Sequence, residues 1–167
     1  PYQADSTIDY LYRNINLAKK MHDARRLDES RIQLAYLYSS AGIYLEAATL
    51  LQQIDTAKLD RKQLVDYYVA RHKLNDELQL YSHDSVQGTQ SWHLTVLYAR
   101  LIVENTEPES TTHLNFKLWQ AINDRNYEQA VEISERLCNT LPPLSRGYAE
   151  ASYMRALVAD LMKDTLT

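Results

Sequence analysis

The stretch SSAGIYLEAATLL, Ser39–Leu51, places a glycine inside a run whose apolar residues otherwise recur at helical spacing. In a helix interior Gly costs about 1 kcal/mol relative to Ala. At a helix end the same residue takes the positive φ that closes the helix without steric penalty. Gly42 then separates two helices. One starts at the N-cap candidate Asp28 and carries Ile32, Leu34, Leu37, Tyr38 and Ala41; the other runs from about Tyr44 to Ile54. The stretch reads as the corner of a helical hairpin.

The same periodicity extends in both directions. Asp5 or Ser6 is the expected cap of a first helix carrying Ile8, Leu11, Tyr12, Ile15 and Ala18, broken by HDARRLD. Asp60 caps a long fourth helix, and YSHDSVQG is a polar break ending at Gly88. A fifth helix carries Trp92, Leu97 and Ile102, and a sixth Leu114, Leu118 and Ala121. A seventh follows Asn126, LPPLS stops it, and an eighth starts near Ser145. No segment alternates with period two, and 3 Gly and 4 Pro are too few for a turn-rich sheet protein. The expected fold is all-α, a right-handed helical-repeat array of about eight antiparallel helices.

Composition excludes several function classes. Net charge is −4 with no basic block, so direct nucleic-acid binding is not expected. Cys138 stands alone, so no internal disulfide forms, and no activating partner marks it as a nucleophile. No His pair has i,i+4 spacing, so no metal site and no cofactor are expected. His72 and Asp76 share a helical face but are too few to hold an ion. SHDS, Ser82–Ser85, holds triad letters in adjacent positions that cannot nest as a triad must. No opposed acid pair can be nominated, and the chain is expected to be non-enzymatic with no catalytic residue.

A repeat of about 34 residues accounts for the corner. With Asp28 as position one, Ala35, Gly42, Tyr44 and Ala47 fall at eight, fifteen, seventeen and twenty. RNYEQAVEISERLCNTLPP repeats the pattern, with Tyr127 and Ala130 matching Tyr44 and Ala47, and Arg125 replacing the glycine in a less regular turn. This resembles the tetratricopeptide repeat (TPR). Small Ala35 and Ala47 stand where the helices approach; Leu34, Tyr38 and Leu51 fill the space around them. The best repeats are 28–61 and 111–144, with an irregular long pair over 60–104, in one domain over 1–167. The first helix resembles the second half of an earlier repeat. The opening PYQADST lacks an initiator Met, so the chain reads as a fragment of a longer one.

The order of segments is similar to something narrower. DSTIDYLYRNINLAKKM, LDESRIQLAYLYSSAGIYLEAATLLQQID, LVDYYVARHKLNDELQLYSHD and RGYAEASYMRALVADLMKD together resemble the repeat region of Bacteroidetes regulators like the starch-utilisation regulator of gut Bacteroides. The resemblance implies a periplasmic sensor region, with a membrane helix and a DNA-binding part further along the chain. It also implies a glycan or glycan-linked signal and a link to polysaccharide utilisation. The alternative is a cytoplasmic TPR adaptor that binds a partner peptide.

Repeat arrays bind on the inner face of their first helices. That rule selects Glu29, Ile32, Tyr36, Ser39 and Ser40 in one repeat and Thr112, Asn115, Trp119, Ile122 and Asn123 in the other. The candidate groove residues are Tyr36, Ser40, Asn115, Trp119 and Asn123, two rings with neighbouring hydroxyl and amide groups. The expected partners are a protein or peptide, a glycan, or both, with a homodimer also compatible. Tyr67 and Tyr68 cannot share one face, so one is expected buried and the other more exposed.

Overall fold

The computed structural model describes residues 2–82 and 86–164, with side chains over 6–82 and 86–162. Eight α-helices follow one another among these residues: α1 Tyr2–Lys20, α2 Ala24–Ser40, α3 Tyr44–Gln52, α4 Arg61–Tyr81, α5 Val86–Asn105, α6 Thr111–Asn123, α7 Tyr127–Thr140 and α8 Arg146–Asp164. A short 3-10 turn, Thr56–Lys58, precedes α4, and no strand occurs among the described residues. The chain is an all-α helical-repeat array. It divides into two compact units, residues 1–101 and 102–167. Among the described residues no helix is long and apolar enough to cross a membrane.

In the first unit α2 packs on α1, α3 and α4. The anticipated crossing is present: Ala35 and Ala47 are fully buried, with Leu34 and Leu51 buried beside them. Leu11, Ile15, Tyr67, Ala70 and Leu74 complete this core. The Tyr12 and Tyr38 hydroxyls bond to each other and tie α1 to α2. In the second unit α7 packs on α6 and α8 around Leu114, Leu118, Ala130, Ile133, Leu137 and Val158.

The corner at Gly42 is a Schellman motif. Gly42 has φ 80°, its N–H donates to the Ser39 carbonyl, and the Ile43 N–H donates to the Tyr38 carbonyl at 2.9 Å. The Arg125 corner is not less regular, contrary to expectation. Arg125 has φ 55°, and its bonds to Ile122 and from Asn126 to Ala121 reproduce the same pattern. His22, at φ 53°, forms a third copy with bonds to Lys19 and from Asp23 to Ala18. The motif belongs to the backbone; glycine only makes it less costly. A left-handed non-glycine residue carries a penalty of about 1 kcal/mol. Arg125→Gly is therefore expected to raise the melting temperature by a few degrees, after some offset from the freer unfolded chain. Calorimetry showing a loss would mean that the Arg125 side chain holds the corner.

Three boundaries differ from the sequence reading. The backbone is helical from Tyr2, so neither Asp5 nor Ser6 caps α1; the Asp5 side chain lies outside the described residues. The cap of α2 is Asp23 rather than Asp28. Its carboxylate accepts from the Arg26 N–H at 3.0 Å, while Asp28 pairs with Arg31. The chain reversal at His22 decides between the two aspartates. α5 begins at Val86, so Gly88 lies inside it rather than ending the break. A Cβ on Gly88 would sit 2.0 Å from the Ser82 carbonyl oxygen, so only glycine fits. His83, Asp84 and Ser85 of the SHDS segment lie outside the described residues.

Asp60 caps α4 as expected, in a capping box with Gln63. The Gln63 amide also donates to the Arg25 carbonyl at 3.1 Å, which joins the first turns of α4 and α2.

Candidate functional site

Helical spacing puts Asn115, Trp119, Ile122 and Asn123 on one face of α6. Ser110 starts that helix by accepting from the His113 N–H at 3.2 Å. Leu114, Leu118 and Ala121 turn the adjacent face into the core, which leaves Trp119 half-buried at its edge. α8 supplies the opposite wall through Glu150, Ala151, Tyr153 and Met154. The cavity between the two helices has a volume of about 480 Å³ and contains three of the five nominated residues, Asn115, Trp119 and Asn123. The Asn123 amide N–H donates to the Trp119 carbonyl at 2.8 Å. Glu150 is held by Arg146 at 2.7 Å. Tyr153 is 67% exposed, so the cavity presents a second ring to solvent. Such a lining, apolar with a few polar groups, suits a small ligand or an anchoring side chain.

Tyr36 belongs to the first unit and lines a different cavity of about 360 Å³, with Thr7, Leu11, Ile32, Gln33, Asp66 and Val69 among its neighbours. Ser40 does not line it. Its hydroxyl donates to the Tyr36 carbonyl within its own helix at 3.1 Å. Ser39, an expected inner position, is fully buried, and its hydroxyl bonds the Ala35 carbonyl.

A third cavity of about 440 Å³ lies between α1 and α2, lined by Tyr10, Asn14, Met21, Arg26 and Glu29 among others. Sequence reasoning placed only Glu29 of its lining on a binding face and missed the rest, together with Glu150, Tyr153 and Met154. Tyr10, Asn14, Leu17 and Met21 recur at helical spacing and were the available signal.

On α4, Tyr67 is buried and Tyr68 partly so, as the spacing requires. The Arg71 guanidinium lies 5.4 Å from the centre of the Tyr67 ring, and Tyr68 meets Tyr98 of α5 at 6.0 Å. His72 is buried, and burial followed by the Lys73 charge pushes its imidazole down to about 4. The unfolded chain holds that proton up to about pH 6.5, so between the two values it binds more protons than the folded state. Stability is thus complete above pH 6.5 and falls as pH drops toward 4, by at most about 3 kcal/mol from this group. Partial burial raises the Asp66 and Asp76 carboxyls, which opposes the fall at the acidic end. His72→Gln should lose less stability than the parent between pH 7.5 and 4.5 in urea titrations. Equal losses would assign the acid sensitivity to other groups.

Among the described residues no three His, Cys, Asp or Glu side chains converge to hold a metal. No curated protein and no solved structure matches the chain significantly. The family model described as the SusR N-terminal TPR domain matches residues 1–167. Its span covers the three corners and the helices that wall the cavities, and the chain belongs to this family of regulator-associated TPR domains.

Proposed function

We propose that this domain is the non-catalytic sensor part of a membrane-anchored transcription regulator linked to polysaccharide utilisation. It stands in the periplasm and binds a glycan, or a protein partner presenting one, on the inner faces of its helices. Occupancy changes the curvature or pairing of the array, and a membrane helix elsewhere in the full chain carries the change inward.

The observation that supports this reading is the α6–α8 cavity. Trp119 and Tyr153 offer flat apolar rings, while Asn115, Asn123 and Glu150 offer amide and carboxylate groups around them. Sugars present an apolar face of C–H groups and an edge of hydroxyls, which such a lining matches. TPR arrays in general engage proteins, so a protein partner fits the same faces.

Trp92 and Trp119 are the two tryptophans of the chain. The Trp92→Phe variant therefore reports on Trp119 alone. Maltose, maltoheptaose and β-linked oligosaccharides titrated against it are expected to shift its fluorescence for at least one linkage class. No shift and no binding heat at millimolar concentration would overturn the glycan reading. Fractionation of cells making the full-length regulator should leave this domain open to protease added to the periplasm. Protection there would leave the cytoplasmic adaptor.

A further inference from the structure

The first-unit cavity differs in chemistry from the α6–α8 cavity. Its walls are apolar at Leu11, Ile32 and Val69, with the Tyr36 ring 41% exposed on one side and the Asp66 carboxyl on α4 at another. Among the described residues Asp66 makes no hydrogen bond or ion pair. Partial burial pushes its carboxyl upward; Glu29 and Asp60 push the same way, and Lys62 opposes them. Arg25 binds both Glu29 and Asp60, so one guanidinium serves two carboxylates. Lys73, which approaches Tyr36, is held by Glu77 at 2.6 Å. Lys62, one turn before Asp66 on α4, is the other nearby cation, so Glu29, Asp60 and Asp66 stand against Arg25 and Lys62 and leave one surplus negative charge beside the cavity.

We propose that this cavity receives an arginine side chain of a partner polypeptide, its aliphatic stem against Val69 and Ile32, its guanidinium stacked on Tyr36 and paired with Asp66. Arginine fits better than lysine because its planar head can both stack on a ring and meet a carboxylate in two parallel hydrogen bonds. Its long stem matches the apolar walls, which a compact, strongly hydrated cation would leave uncovered. The pairing is independent of the glycan reading, because it uses other helices and another unit.

The test uses the 167-residue chain and the blocked pentapeptide Ala-Ala-Arg-Ala-Ala, followed by calorimetry and by NMR shifts of the Tyr36 ring. The matching citrulline peptide keeps the shape and removes the charge. The arginine peptide is expected to bind with shifts at Tyr36, and the citrulline peptide at least about tenfold more weakly. Asp66→Asn, which keeps the side chain's size and removes its repulsion from Glu29 and Asp60, should not lower the melting temperature and is expected to cause the same loss of binding. Equal affinity for the two peptides, or unchanged binding by Asp66→Asn, would overturn the pairing. Binding of free agmatine as tight as that of the peptide would assign the cavity to a small organic cation and overturn the polypeptide partner. Absence of any Tyr36 shift at 10 mM peptide, about 3 kcal/mol of binding energy, would overturn it as well.

Discussion

Trp119→Ala is expected to lower glycan affinity at least about thirtyfold while moving the melting temperature by only a few degrees. Truncating an aromatic anchor at the centre of a binding patch commonly costs 2 kcal/mol or more, about thirtyfold in Kd. The stability cost should be much smaller. The core of the second unit rests on Leu114, Leu118, Ala121, Ala130, Ile133 and Leu137, and Trp119 is at its rim. Tyr153→Ala should weaken binding with still less effect on stability, since that ring is 67% exposed. Thermal melts and oligosaccharide titrations on the same samples separate the roles. If Trp119→Ala loses melting temperature in proportion to affinity, the ring is a packing element and the sugar platform is elsewhere.

Leu51→Ala should destabilise the first unit by about 3–5 kcal/mol, the usual range for a buried leucine truncated where the surroundings cannot collapse. Leu51 is fully buried in α3 and belongs to the same core as Ala35, Ala47 and Leu34. Few domains have more than 5–15 kcal/mol in total, so this change should bring the unit close to its folding limit. The corner register, Gly42 against Arg125, sets Ser134 in the place of Leu51. Ser134 is fully buried too, but its hydroxyl donates to the Val131 carbonyl of its own helix at 2.7 Å. Ser134→Ala removes that local bond and adds no cavity larger than an oxygen atom, so its cost should stay near 1 kcal/mol. Denaturant titrations that rank the two substitutions equally would contradict the packing described for α2 and α3.

Helix count, order and core faces were legible because apolar spacing at 3.6 residues survives any choice of surface residue. The corner at Gly42 was legible because glycine advertises a left-handed residue. At Arg125 the turn was placed but not its regularity, and the left-handed corner at His22 went unread, since in both the conformation is imposed by the same two backbone bonds without a glycine to mark it. The start of α2 was misplaced for the same reason: two aspartates can cap, and the hidden corner chooses Asp23. At the α6–α8 cavity, position within the repeat selected Asn115, Trp119 and Asn123. The facing wall of Glu150, Tyr153 and Met154 escaped because inner-face positions were assigned only in the repeats 28–61 and 111–144, and α8 lies in neither. Ser40 lies outside the Tyr36 cavity because spacing assigns a face but not a hydrogen-bond partner, and its hydroxyl donates to the Tyr36 carbonyl. Asp66 was invisible as a site residue until α4 was seen packed on α2.

The three corners share one further consequence. Each reverses the chain through the same backbone bonds, whatever side chain stands at the left-handed position. Mutational drift can therefore exchange His, Gly and Arg at that position without losing the reversal, while the buried residues on either side stay particular to each hairpin.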